Sequence, residues 1–141
     1  MAHTIFEGAT HADERGTIKF FNTLDMTEIV RMYEISPSST HLIRAWQGHQ
    51  FEKKWFYCNE GSFNINIIKV PNFKEPSTLL LPQKIILKST EPCCLALPGG
   101  YATGIKALEE NSKITVFSNY SLENSKNDDY RFPVEHWKFI D

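Results

Sequence analysis

"RAWQGHQFEKKWFYCNEG", Arg44 to Gly61, carries one histidine, two adjacent lysines, a single glutamate ahead of them and a run of aromatics closed by a glycine. Its second half, "KWFYCNEG" (Lys54–Gly61), is rich in residues that favour strands. "SFNINIIKV" (Ser62–Val70) follows at once, with Phe63, Ile65 and Ile67 alternating against Ser62, Asn64 and Asn66. A period of two is the pattern of a strand. The turn "CNEGS" joins the two runs, and Gly61 is free to take the positive φ such a turn uses.

The same pattern continues outward. "GTIKFFN" (Gly16–Asn22), "EIVRMYEIS" (Glu28–Ser36) and "HLIRAWQ" (His41–Gln47) precede the pair. "KIILKS" (Lys84–Ser89), "CCLALP" (Cys93–Pro98) and "SKITVFSNY" (Ser112–Tyr120) follow it, and "SPSS", "PNFKEPS", "EP" and "PGG" punctuate the runs. No amphipathic helix longer than about two turns is expected, except in the charged tail near "LENSKNDDYRF". There is no internal repeat and no low-complexity linker. Short strands at regular spacing predict a single all-β sandwich or barrel. The polar row Ser62, Asn64 and Asn66 lines either a ligand-holding lumen or the solvent side of a sheet, and alternation alone favours the solvent side.

A chain of 141 residues is long enough to bury a core without staples. Its formal net charge of −2, with lysines and carboxylates interspersed, gives no case for nucleic acid or an anionic membrane as partner. Cys58, Cys93 and Cys94 are odd in number, two are adjacent, and no CxxC spacing occurs, so they are expected as neutral thiols in a reducing compartment. The stretch "MAHTIFEGATHADERG" lacks a basic region followed by an apolar one, and no apolar run reaches bilayer length. The expectation is a cytoplasmic protein with no membrane segment.

Arg44–Gly61 resembles the first motif of the cupin superfamily, in which two histidines one residue apart are followed by a glutamate and a closing glycine. Those positions fall on Gln47, His49, Lys54 and Gly61. The second cupin motif resembles "PGGYAT", with Pro98, Gly100 and, at the histidine position, Thr103. The resemblance implies a single-domain cupin over residues 1–141, a double-stranded β-helix or jelly-roll barrel. Residues 1–15 would form a leading arm, and 121–141 a C-terminal tail packing on the barrel. Gln47 and Thr103 are poor ligands for a transition ion and the Lys54 ammonium would repel one, so neither metal nor cofactor is expected.

Within cupins the chain resembles the dTDP-4-dehydrorhamnose 3,5-epimerases and the dTDP-4-keto-6-deoxyhexose 3,4-ketoisomerases. "HADERGTIKFFN" carries the matching Asp13, Arg15 and Gly16, and "IRAWQGHQFEKKW" the matching Arg44 and Lys54. "LPGGYATGIKAL" places Tyr101 at an aromatic position, and "FSNYSLENSKNDDYRF" offers Tyr120 as the pocket tyrosine. The departures are Gln47, where the epimerases carry their base histidine, Thr103, and alanine for glycine at Ala45. Both motif positions are histidine in the ketoisomerases, and this chain keeps the second, His49.

The resemblance implies a metal-free isomerase or epimerase acting on a nucleotide-linked 4-keto-6-deoxyhexose through an enolate, in deoxysugar and surface-polysaccharide biosynthesis. The alternative is a non-catalytic nucleotide-sugar-binding cupin that kept the pocket and lost its base; a third reading is a structural cupin whose dimer is the functional unit. Enolate chemistry needs a base near the α carbon, a cation or donor for the oxyanion, and a second acid. His49 is the candidate base, against a satisfied core or rim histidine, and Lys54 the candidate oxyanion holder, against a surface lysine. Tyr120 is the candidate proton donor, against a barrel-core tyrosine. Arg44 and Gln47 would fix sugar or phosphate, with Tyr101, Thr103 and Lys106 lining the second motif. Arg15 would clamp the pyrophosphate, often from a neighbouring subunit, and Phe20 or Phe21 could stack on the base. The implied partners are a dTDP-linked sugar and a second copy in a homodimer. Lys53 is expected on the outer face, Glu52 paired with either lysine or solvated, and His3, His11, His41 and His136 on the surface.

Overall fold

The computed structural model describes all residues from Met1 to Asp141. The strands are β1 (Thr4–Glu7), β2 (Ala9–Asp13), β3 (Gly16–Phe20), β4 (Arg31–Ile35), β5 (Ile43–His49) and β6 (Lys54–Glu60), then β7 (Ser62–Lys69), β8 (Gln83–Lys88), β9 (Cys93–Leu97), β10 (Tyr101–Ala107), β11 (Lys113–Ser118) and β12 (Tyr130–Arg131). One short helix, α1 (Leu122–Lys126), lies in the charged tail, capped by the Ser121 side chain on the Asn124 N–H. A first five-stranded sheet has the order β1-β9-β6-β11-β4, and a second the order β12-β5-β10-β7-β8; β2 and β3 form a separate hairpin. All pairings are antiparallel. This is the jelly-roll barrel that the motifs imply. β1, β2, β10 and β12 lie outside the strands read from sequence, and β5 runs two residues past Gln47 to take in His49.

The turn at Gly61 carries the chain from one sheet to the other. Gly61 sits at φ 71°, and a Cβ there would lie 2.1 Å from Ser112 Oγ, so only glycine fits this corner. Directly opposed residues of an antiparallel pair face the same side, so register identifies the interior. On the first sheet Tyr33, Val116, Phe56 and Leu95 form one inward row, and Ile35, Ile114 and Cys58 the next. Phe63, Ile65 and Ile67 of β7 meet them from the second sheet. Phe56, Phe63, Ile65, Leu95, Ile114 and Val116 are all at most 2% exposed. Burying each such side chain contributes about 1.5–3 kcal/mol relative to leaving it in water.

The polar row of β7 does not face solvent as alternation favoured. Ser62, Asn64 and Asn66 are 6%, 1% and 0% exposed: the C-terminal segment covers Asn64 and Asn66, and Ser62 is held by Glu109 and Ser112. Asn64 and Asn66 Nδ2 donate to the Ile140 carbonyl at 2.9 and 3.1 Å, and the Ile140 N–H donates to Asn66 Oδ1 at 2.8 Å. The two amides thus supply the partners a neighbouring strand would have given the tail. Trp46, Ile68, Val70, Phe73, Ala102 and Trp137 form a second apolar cluster on this side. The leading arm is also revised: Thr4–Glu7 pair with β9 as part of the first sheet, and the exposed arm is the β2–β3 hairpin.

Candidate active site

One end of the barrel interior is polar. On the first sheet the inward row there reads Arg31, Ser118, Lys54 and Leu97. On the second sheet β10 opposes Tyr101 to His49, Thr103 to Gln47 and Ile105 to Arg44, with the register shifting between Thr103 and Gly104. The extra residue in β5 is a bulge, and it brings Arg44 into phase with Gln47 and His49. β12 then places Arg131 opposite Gln47, on the same side.

Of these, Arg31, Arg44, Gln47, Lys54, Thr103, Ile105 and Arg131 line a cavity of about 650 Å³, closed on one side by Leu122, Ser125 and Lys126 of α1. Its charged lining is Arg31, Arg44, Lys54, Lys126 and Arg131 against a single carboxylate, Asp129. The net charge of the chain is −2, so the cationic character is local. A mouth of this size and polarity suits an anionic ligand that reaches an apolar floor at Phe56 and Ile105.

Lys54 is 6% exposed, and its hydrogen-bond partner is Gln47 Oε1 at 3.3 Å, with Nζ 5.7 Å from the Tyr33 ring centroid. Burial pulls the ammonium down from 10.5 to about 8, with the Glu52 charge opposing. Gln47 Nε2 donates to Asp129 Oδ1 at 3.0 Å. Burial works to raise Asp129, but hydrogen bonds from Arg131 and Gln47 prevail and hold it below the usual range. Tyr33 is raised, first by burial.

His49 is 6% exposed and is not among the residues that line the cavity. Its Nδ1 is 2.7 Å from the Asp128 carbonyl, and burial together with the Lys54 charge lowers its pKa below the ordinary imidazole value. Its Nε2 is buried without a hydrogen-bond partner.

The cavity therefore gathers Arg44, Gln47, Lys54 and Thr103 from the residues singled out in the sequence. Others lie elsewhere. β11 ends at Ser118, and beyond it Tyr120 contributes backbone: its N–H donates to Ser118 Oγ and its carbonyl accepts from Arg31 Nε. The tyrosine in the cavity wall is instead Tyr33. Alternation sends Lys106 to the outer face, where it pairs with Asp141 at 3.0 Å. Tyr101 is part of the core between the sheets, edge-on to His3. Arg15 sits on the exposed hairpin, paired with Asp13 at 2.7 Å and beside a separate shallow hollow.

Glu52 pairs with neither lysine: it is buried and bound to Arg31, Ser118 and Ser125. Lys53 points outward to Glu28 at 3.0 Å. His136 is half-buried between Phe132 and Trp137, and His3 is half-buried against Tyr101, so neither is a free surface histidine. Arg31, Tyr33, Ser125, Lys126, Asp129 and Arg131 are polar lining residues that the sequence reading missed. The alternation Arg31, Tyr33, Ile35 in β4 was a usable signal for the first two. Phe20 and Phe21 are half-buried and line neither this cavity nor the hollow beside Arg15, and Phe21 is edge-on to Tyr57. No group of three or more His, Cys, Asp or Glu side chains is placed to hold a metal ion. Cys58 and Cys94 are free thiols pushed by burial to about 11 and about 12. No helix is long and apolar enough to cross a membrane.

No protein-family model matches the sequence, and no characterised protein matches it by sequence. Solved structures do match by fold. A sugar 3,4-ketoisomerase from Thermoanaerobacterium thermosaccharolyticum, solved with TDP, superposes with a TM-score of 0.72 at 16% identity, over 95% of this chain and 90% of that one. A TDP-quinovose 3,4-ketoisomerase from Campylobacter jejuni gives 0.68 at 18% identity, over 95% of each chain. A dTDP-4-dehydrorhamnose 3,5-epimerase from Bacillus anthracis, solved with TDP and PPi bound, gives 0.71 at 17%, over 92% of this chain and 77% of that one. The chain has the fold of these sugar-nucleotide isomerases and epimerases.

Proposed function

We propose that this chain is an isomerase or epimerase that acts on a nucleotide-linked 4-keto-6-deoxyhexose through an enolate. The observation that carries the reading is Lys54: an ammonium buried at a cavity floor, hydrogen-bonded only to Gln47, within a ring of arginines. Burying a cation without an anionic partner is costly, and an oxyanion formed during turnover supplies that partner. Arg44, Lys126 and Arg131 at the mouth suit a diphosphate. A thymidine nucleotide is the first choice, because the ketoisomerase of like fold has been solved with TDP and, in variant form, with TDP-4-keto-6-deoxyglucose.

In this reading the seated sugar opens a path to His49 Nε2, which is buried outside the cavity lining and removes a proton α to the carbonyl; Lys54 holds the enolate oxygen and Tyr33 returns a proton. Gln47 and Thr103 position the sugar. Arg15 reaches the site of a second copy by way of the β2–β3 arm, which makes the working unit a homodimer. A two-stranded hairpin with so little burial needs such support. The reaction belongs to deoxysugar supply for surface polysaccharide in the cytoplasm, and its residues need neither metal nor cofactor.

The test is incubation with dTDP-4-keto-6-deoxyglucose in deuterated water, followed by NMR. Deuterium at C3 and C5 marks epimerisation; deuterium at C4 with the carbonyl moved to C3 marks 3,4-isomerisation. Calorimetric binding with no label in the recovered sugar refutes the enzyme and leaves a nucleotide-sugar-binding cupin.

A further inference from the structure

Glu52 belongs to the loop between β5 and β6, and its side chain has no exposure. Oε2 accepts from Arg31 Nη2 at 3.2 Å and from Ser118 Oγ at 2.7 Å, and Oε1 accepts from Ser125 Oγ at 2.6 Å. One carboxylate thus joins β4, β11 and α1. Oε1 also lies 3.5 Å from His49 Nδ1. The loop itself is held by Asp128, whose carboxylate accepts the N–H groups of Gln50, Phe51 and Glu52 at 2.8 Å each.

The Asp128 carbonyl can only accept, so the short contact to His49 requires Nδ1 to carry the ring proton. The lone pair is then on Nε2, the one buried side-chain polar atom without a partner. Register puts this ring on the inward face of β5, two residues along from Gln47. A proton taken by Nε2 makes the ring cationic in a buried site that already holds the Lys54 ammonium. The charged groups facing the ring are Lys54, which opposes its protonation, and Glu52, Asp128 and Asp129, which favour it. Glu52 comes first among those that favour it.

Resting on the reading of His49 as the proton-abstracting base, we infer that Glu52 is a positioning residue. Braced by Arg31, Ser118 and Ser125, it keeps the Nδ1–H edge of His49 turned to the loop and balances the charge the ring gains when Nε2 accepts a proton. The base is therefore a His49–Glu52 unit, and it is complete only while α1 sits over the cavity with Ser125 on the carboxylate.

The experiment follows the His49 ring nitrogens by long-range proton–nitrogen NMR on the full chain, with the signals assigned by their loss in His49→Asn. The wild type is expected to show a protonated Nδ1 and a bare Nε2. Glu52→Gln keeps the shape and removes the charge. It is expected to shift the His49 titration to lower pH and to cut kcat roughly 100-fold while KM changes less than about threefold. Lys54→Met removes the charge that opposes protonation and should move the titration upward in either background, whereas a purely structural brace predicts no downward shift for Glu52→Gln.

A wild-type ring protonated at Nε2, or a titration left unmoved by Glu52→Gln, overturns the inference. Should the glutamine variant not fold, Glu52→Asp withdraws the charge by one methylene and is judged by the same shift. The NMR arms need no substrate, so they can fail while deuterium exchange succeeds. Exchange absent in a wild type whose His49 titrates as expected counts against the reaction and not against the pairing.

Discussion

Replacing Lys54 with methionine should leave a protein that folds more stably and turns over poorly. Burial holds the Lys54 ammonium at about 8 against an ordinary 10.5. At about 1.4 kcal/mol per pH unit, that gap means the charged side chain costs the fold about 3 kcal/mol. Solvent in the cavity screens part of this, so the methionine variant should gain about 2–3 kcal/mol at pH 7. For a chain of this length the gain corresponds to roughly 6–10 °C in Tm. The pH dependence identifies the cause. Below pH 8 the lysine is charged in both folded and unfolded chains and its full cost applies. Between about 8 and 10.5 the unfolded chain binds the proton and the folded one does not, so wild-type stability rises with pH and the advantage of methionine shrinks to nothing. The assay is urea unfolding of both proteins at pH 7, 9 and 10. A methionine variant less stable than wild type at pH 7, or an advantage that stays constant across the series, refutes a buried and uncompensated ammonium.

The same two groups shape the rate profile: kcat/KM should have an acid limb below pH 6.5, from His49 with its lowered pKa, and an alkaline limb near 8, where Lys54 loses its proton. Lys54→Arg should abolish the alkaline limb, and an unchanged limb in that variant would assign it to another group. Tyr33→Phe should lower kcat by about 10²–10⁴, and Tyr120→Phe by less than about twofold; equal effects of the two would return the proton-donor role to Tyr120. Asp128→Ala strips three loop N–H groups of their acceptor and should cost about 3 kcal/mol in urea unfolding, and a loss below about 1 kcal/mol would show that the loop is held elsewhere. Gly48→Ala should cost about 1–3 kcal/mol, because a Cβ there would lie 2.4 Å from the Phe73 ring. A neutral substitution would mean that Phe73 has room to move.

The barrel was legible because its signals are local. The alternation of Ser62–Lys69, the corner at Gly61 and the order of the two motifs are each contained in a short window. What escaped depends on residues far apart in the chain. Asn64 and Asn66 read as solvent-facing because nothing near them reveals that Ile140, more than seventy residues on, supplies their partners. β12 is two residues long and forms because β5 offers it an edge, so it has no periodicity of its own. Lys54 and Gln47 could be singled out by motif, whereas Glu52 looked like an ordinary loop carboxylate ahead of two lysines. Its partners come from β4, β11 and α1, and only tertiary structure brings them together. Tyr120 shows the converse, since a sequence window cannot say that β11 stops two residues short of it.

The polar end of the barrel is best understood through its charge balance. Arg31, Lys54, Glu52, His49 and Asp128 are buried or half-buried together, where each charge alone would be costly. The anions are spoken for: Asp128 by three backbone N–H groups, Glu52 by an arginine and two serines, and Asp129 by Arg131 and Gln47. The cations are not matched in the same way, because Lys54 has only an amide oxygen and Arg44 forms no ion pair. Structural ion pairing would be expected to satisfy both signs. A site in which every carboxylate is committed and a buried ammonium is left over is built to receive negative charge from outside. It does so at two depths, permanent charge at the arginine-lined mouth and charge created at the floor during reaction. That division separates binding from turnover among the cavity residues: losses at Arg44 or Arg131 should appear mainly in KM, and losses at Lys54 mainly in kcat.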